Sequence, residues 1–279
     1  MNTKKTMLEL EGSDLSIKAQ CELLELSRSV VYYEPVEEFS ETELLIMNRM
    51  DEIFTEQPFY GHRKLWKQLK KEGYFIGRDK TLGFMHTLGL EAFYPHKKVN
   101  TSMANKAHKK YPYLLKGLEI VRPNQVWSID ITYIRIRGGF CYLAAIIDWF
   151  SRSILSYRIS NSLEVQFCID ALHAAFEKYG VPEIFNSDQG SQFTSEDFTN
   201  ELNDRKIKIS MDSVGRATDN IIIERFFRSL KYEDIYLKEY QSVAELKEGI
   251  RVYIEFYNHR RIHQSLDYKI PFEVYLSKN

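Results

Sequence analysis

Residues 125–135 (QVWSIDITYIR) alternate with a period of two. Trp127, Ile129, Ile131 and Tyr133 point one way, and Ser128, Asp130 and Thr132 the other. This predicts a strand with a carboxylate in its middle, flanked by apolar residues. Arg137-Gly138-Gly139 predicts a turn, and FCYLAAIIDWF (140–150) is apolar enough for a central strand. SILSYRIS (153–160) predicts a third strand. Val165, Cys168, Ile169, Leu172 and Phe176 then make a helical stripe, ended by Gly180 and Pro182. EIFNS predicts a fourth strand, SEDFTNELNDRK a helix, IKISM a fifth strand and DNIIIERFFRSLK a last helix. Trp127 reads as a core residue, and Asp148, at the end of the second strand, as a structural acid.

Three acids stand out within that order. Asp130 projects from the first strand, Asp188 sits at the end of the fourth, and Glu224 lies on the last helix. The interval between Asp188 and Glu224 holds 35 residues. Carboxylates held close together raise one another's pKa unless a hard cation joins them. Mg²⁺ suits such a site, and Mn²⁺ can substitute, because both take oxygen ligands and leave positions for substrate phosphates. In a two-ion scheme one ion activates the attacking oxygen and the other stabilises the leaving 3′ oxygen. Asp130, Asp188 and Glu224 are therefore the candidate catalytic residues and metal ligands. Asn220, Glu224, Phe227 and Lys231 share one helix face, so Lys231 is a candidate phosphate contact. Gln189 and Gln192 follow Asp188 in a loop that either approaches a DNA strand or is a plain turn.

The net charge of −1 hides a strong asymmetry. Residues 1–60 carry 5 basic and 13 acidic side chains, 61–122 carry 14 and 4, and 123–279 carry 19 and 22. A basic segment of that kind suits phosphate-backbone contact. Within residues 58–90, Leu65 and Leu69 form a helical stripe ended by Gly73, and Arg78 or Asp79 opens a second helix ended by Gly89. The first of these helices carries Arg63, Lys64, Lys67, Lys70 and Lys71, as a helix-turn-helix-like DNA-binding unit would. Upstream, 15–34 suggests a helical hairpin with Ser27 as an N-cap, and 42–56 another helix with Leu44, Met47, Ile53 and Phe54 available for burial. Downstream, His259, Arg260, Arg261 and His263 end an amphipathic helix over 244–257; Arg260 and Arg261 are further candidate DNA contacts, with internal polar contact as the other reading. The expected organisation is a helical segment 1–57, a basic unit 58–98, a basic linker 99–121, a catalytic core 122–236 and a helical extension 237–279.

Hydrophobic residues make up 44 % and charged residues 28 %, as in a globular protein. No apolar run is long enough to span a membrane, and the N-terminus lacks the apolar core of a signal peptide, so a cytoplasmic protein is expected. Three scattered cysteines indicate neither a disulfide framework nor a zinc site.

The strand and helix order matches the ribonuclease H-like fold, and the three acids resemble the catalytic triad of the integrase and transposase superfamily. VRPNQVWSIDITYI, SDQGSQFTS, DNIIIERFFRSLKYE and YNHRRIHQSL are similar to signatures of the catalytic protein, OrfB, of insertion sequences whose transposase is encoded in two overlapping frames. YGHRKL and LGLEAFYP resemble that group's upstream helical region. The resemblance spans roughly residues 15–275. It implies an α/β, ribonuclease H-like core with a mixed five-stranded sheet, preceded by a small all-α helix-turn-helix-like region. It implies a divalent metal, double-stranded DNA partners (inverted-repeat ends and target) and a homo-oligomer on DNA in a prokaryotic nucleoid. An upstream-frame OrfA protein or fusion is a further implied partner, and no long heptad seam is seen in the chain itself. Asn186, Asp212 and Arg216 depart from the group's pattern. The alternative reading is a DNA-binding regulator with an inactive integrase-like core.

Overall fold

The structure is a computed structural model that describes residues 7–8, 15–32, 39–93, 111–137, 139–212 and 220–277. The chain divides into two compact units, Met1–Asn48 and Arg49–Asn279. The first holds α1 (Ile17–Leu23), capped by the Ser16 hydroxyl, and the short α2 (Arg28–Val31). Ser27 precedes α2 in an extended conformation but makes no side-chain cap. α3 (Glu41–Glu56) straddles the division. Its buried stripe is Ile46, Met47, Met50 and Ile53, and Leu44 falls outside that arc and is exposed.

The second unit starts with α4 (His62–Lys71) and α5 (Arg78–Thr87). Leu65 and Leu69 are completely buried on α4. Gly73 and Gly89 adopt positive φ just past the two helices, as a helix stop requires. The sheet has the order β3-β2-β1-β4-β5. β1 (Val126–Ile136), β2 (Gly139–Asp148) and β3 (Ile154–Ser160) pair antiparallel, while β4 (Ile184–Ser187) and β5 (Lys208–Met211) extend the sheet parallel to β1. α6 (Gln166–Tyr179) and α7 (Glu196–Asp204) connect β3 to β4 and β4 to β5. α8 (Ile221–Leu230) follows and runs into a π-helical turn, Lys231–Ile235. α9 (Val243–His259) and α10 (Pro271–Leu276) complete the chain.

The sheet is buried on both faces. Trp127, Ile129, Ala144 and Ile146 pack with Cys168, Leu172 and Ala175 of α6 and Phe198 and Leu202 of α7. The alternate positions Val126, Ile134, Leu143, Ala145 and Ile147 pack with Ile223, Phe226 and Leu230 of α8 and Leu246, Ile250 and Ile254 of α9. Burial on two faces is why β2 is apolar without alternation. Each of the Val, Leu, Ile and Phe side chains among them contributes about 1.5–3 kcal/mol. Asp130 has the parity of Val126 and Ile134, so it points to the side covered by α8. The open edge of β3 is met by Asn258, whose amide accepts from Ile154 N at 2.9 Å and donates to Ile154 O at 2.8 Å. No helix among the described residues is long and apolar enough to cross a membrane.

Asp148 is structural. It is wholly buried, and its carboxylate accepts from Asn124 N (2.9 Å), Ser151 N (2.7 Å) and Ser151 Oγ (2.6 Å). It thereby closes the β2–β3 turn and holds the start of β1. Trp127 is also fully buried, with Nε1 donating to Asn124 Oδ1 at 3.0 Å. Asp148→Ala orphans three donors and is expected to cost about 2–4 kcal/mol in urea unfolding.

Candidate active site

Strand pairing puts two of the acids side by side. In the parallel ladder Val126 lies opposite Ile184, Trp127 opposite Phe185 and Ser128 opposite Asn186. The same register carried two residues further sets Asp130 against Asp188, one residue beyond the end of β4. Burial pushes the Asp130 carboxyl up to about 8, and the Asp188 carboxylate adds to this, as do Glu224 and Asp212 more weakly. The Ile131 N–H, donating to Asp130 Oδ1 at 2.7 Å, opposes that rise. Burial also raises Asp188, against the opposing Gly190 N–H, which donates to Oδ1 at 2.9 Å. Asp188 keeps a solvent-exposed side, so water screens its charge, and Asp130 is the member of the pair that holds the proton.

Glu224 lies in the first turn of α8, where partial burial raises its pKa. Among the described residues, no three His, Cys, Asp or Glu side chains are gathered into a metal-holding group. The strand register sets Asp130 beside Asp188, and the Glu224 charge reaches Asp130 more weakly than that of Asp188 does. Three mutually repelling carboxylates do not close up of themselves. What ties Glu224's helix to the site is Asn220. This buried residue donates from Nδ2 to Ile129 O at 3.4 Å, next to Asp130, and its Oδ1 is buried with no hydrogen-bond partner among the described residues.

The loop after Asp188 is shaped by close approach. A Cβ on Gly190 would stand 2.9 Å from Asp188 Oδ1. Gln189 and Gln192 are turned inward: their amides donate to Asp212 O at 2.7 Å and Leu163 O at 2.9 Å. Two of the sequence departures meet here, since Asn186 Nδ2 donates to Asp212 Oδ1 at 2.8 Å. Arg216 lies outside the described residues.

The other predicted contacts are scattered. Lys231 opens the π-helical turn, seven residues beyond Glu224. Arg63 and Lys70 are exposed on α4. Lys67 lies over the rings of Trp66 and Tyr268, and Lys71 is 3.9 Å from Glu273. Lys64 is half-buried, with Nζ 4.8 Å from the Tyr60 ring centroid. Arg260 is exposed over Phe256. Arg261 is a correction: its guanidinium is buried in a two-pronged pair with Glu233 (2.7 and 2.5 Å), so it does not face a DNA strand. Sequence reasoning missed Arg152, Arg225 and Arg228. The spacing of the last two on α8 was visible, but their convergence with Arg152 and Lys64 depends on the fold.

The raised pKa of Asp130 has a stability consequence. Its folded value lies above the unfolded one, so the stability it contributes is full below about pH 4 and is lost as pH rises towards about 8. Metal-free Asp130→Asn is expected to melt with the wild type near pH 4 and several degrees above it near pH 8, by differential scanning calorimetry.

Residues 121–217 and 205–271 each match an integrase core domain family, and residues 41–98 match an HTH-like domain family. The latter match takes in α3 as well as α4 and α5. The chain is 32 % identical over 254 residues to InsK of insertion sequence element IS150 from Escherichia coli (strain K12), covering 89 % of each chain. It is 33 % identical over 215 residues to the transposase of element IS629 from Shigella sonnei, covering 77 % of this chain and 73 % of the relative. It is 34 % identical over 227 residues to the transposase of element IS904 from Lactococcus lactis subsp. lactis (strain IL1403), covering 78 % and 88 %. Among solved structures, a simian T-cell lymphotropic virus intasome in complex with PP2A regulatory subunit B56 gamma shares the fold, with a TM-score of 0.52 and 17 % identity over 84 % of this chain and 75 % of that one. The chain belongs to the insertion-sequence transposases of the DDE superfamily, with an integrase core and a helix-turn-helix-like region, and is a DNA transposase.

Proposed function

We propose that Asp130, Asp188 and Glu224 are the catalytic carboxylates and metal ligands of strand cleavage and strand transfer at insertion-sequence ends. The observation that carries this is the β1–β4 register, which sets Asp130 beside Asp188 on the side of the sheet that α8 covers. The donor set fits a hard divalent cation: it is all carboxylate oxygen, and burial, with the opposing charge of Asp188, holds a proton on Asp130 at neutral pH. Two ions of Mg²⁺, or Mn²⁺ in its place, would supply charge neutralisation for the attacking and leaving oxygens of the phosphodiester. Asp130 gives up its proton when a cation is taken up. The Gly190 N–H holds Asp188 in place, and Asn220 anchors the start of the helix that bears Glu224.

Double-stranded DNA is the partner. The basic face of α4, with exposed Arg63 and Lys70 and half-buried Lys67, suits the phosphate backbone of the inverted-repeat ends. Lys231 suits a phosphate close to the reacting one. The division into a basic unit 58–98, a core 122–236 and an extension 237–279 follows these roles. A homo-oligomer on DNA, joined by an upstream-frame OrfA segment, completes the reading, with the cytoplasm and its nucleoid as the place of action.

The deciding assay is incubation of protein with Mg²⁺ or Mn²⁺ and duplexes carrying the element's ends. Wild type is expected to cut and join strands, and Glu224→Gln to bind without reacting. Binding without any reaction by the wild type, even with the upstream segment supplied, would favour the DNA-binding regulator instead. Gly190→Ala pushes the Asp188 carboxylate from its place. It is expected to lower kcat by about 10²-fold or more while the thermal melting of the protein is retained.

A further inference from the structure

A second charged site lies on the flank of α8, away from the three acids. It is a cavity of about 770 Å³ between the start of α4, the outer face of α8 and the segment that follows α9. Six cations line it: Arg63, Lys64, Arg152, Arg225, Arg228 and Arg261. Among the described residues, Glu233 is the one acid in its wall, and both its oxygens are already used. Arg261 takes both, and the Tyr253 hydroxyl donates to Oε2 at 2.7 Å. Among the described residues, no ion pair joins Lys64, Arg152, Arg225 or Arg228 to a carboxylate. The walls of this cavity therefore carry more positive charge than the protein neutralises.

The surplus is not loose surface charge. Lys64 is held over the rings of Tyr60 and Phe59, with Nζ 4.8 and 5.7 Å from their centroids. Burial and the neighbouring Arg261 lower its pKa to about 7. Arg152 sits at φ +67 and donates from Nη1 to Trp149 O at 2.5 Å. Burial lowers its pKa as well, and Arg225 works in the same direction. His263 is kept neutral by burial and by Arg261, Lys64 and Arg152, and its Nε2 lies 3.1 Å from Arg261 Nη1. Cations that oppose one another in a partly dry cavity are stabilised by an anion that reaches them all.

We propose that this cavity binds the phosphate backbone of a DNA strand, with Lys64, Arg152 and Arg225 as the contacts, and so clamps the helix-turn-helix-like unit to the catalytic helix. A strand fits better than a single free phosphate. The volume is several times that of one phosphate, and the cations are spread from α4 to α8 instead of meeting at one point. Phe59, Phe93, Tyr232 and Tyr257 add apolar wall against which sugars and bases can lie. Arg225 is the residue after Glu224 and Arg228 is one turn further on, so a strand held here continues from the reacting phosphate without sharing its ligands. The proposal rests on the DNA-processing reading above, but its contacts are not the three acids.

The test is fluorescence anisotropy of a labelled element-end duplex in EDTA, at two salt concentrations, for wild type, Lys64→Met, Arg225→Gln and Glu224→Gln. Arg225 is exposed, so its variant keeps the fold even where Lys64→Met does not. Both cavity variants are expected to weaken binding by about 3–10-fold and to reduce the salt slope by about one, while Glu224→Gln binds as wild type. Unchanged affinity and slope in Arg225→Gln and Lys64→Met overturns the proposal, even when Glu224→Gln proves catalytically dead. Cutting by Glu224→Gln in Mn²⁺ sinks the assignment of the acids and leaves the cavity standing. A third arm heats each protein with inorganic phosphate. Stabilisation of wild type but not Lys64→Met, with DNA affinity equal in both, would assign the cavity to a free anion and overturn the strand.

Discussion

The parallel pairing of β1 with β4 is the contact on which the rest of the molecule depends. It brings together two segments more than fifty residues apart in sequence and sets Asp130 beside Asp188. Because side chains alternate along a strand, the same register also decides which apolar residues face α6 and α7 and which face α8 and α9. A slip of one residue in β1 would exchange those two sets and turn Asp130 into the wrong core. The site and the core are thus two consequences of one ladder.

The C-terminal segment is part of that core. Leu246, Ile250 and Ile254 of α9 share a cluster with Leu143 and Ile147 of β2 and Phe226 of α8. Asn258 covers the β3 edge, and Arg261 reaches back to Glu233 just past α8. In the middle of α9, Gly249 leaves room for Tyr240, whose hydroxyl donates to Asp234 Oδ2 at 2.7 Å. The helix that carries Glu224 is therefore gripped from both ends, by Asn220 on β1 and by the polar contacts around the π-helical turn.

Charge is arranged by location more than by amount. The chain is close to neutral, yet it sets acids against one another at the strand ends and cations against one another on the flank of α8. Like charges held together cost stability, and in the roles proposed above a cation would relieve the acids and phosphates the bases. In the proposed roles the two are compatible because Arg225 lies about 100° round α8 from Glu224.

Alternation, helical stripes and stop residues were local properties, so the five strands, the helices around them and the terminating Gly73, Gly89 and Gly180 could be read from sequence alone. Asp148 and Trp127 could be read as structural for the same reason, their neighbours being apolar. The motifs around Asp130, Asp188 and Glu224 also named the family. What only the tertiary structure decided were relations between distant residues. Asn186 and Asp212, each odd by itself, turn out to be partners. Gln189, Gln192 and Arg261 spend their polar groups inside the protein, because burial rewards a donor for finding a carbonyl or carboxylate there. Lys64, Arg152 and Arg225 converge from three separate stretches of chain, and no spacing along the sequence encodes a distance that the fold alone sets.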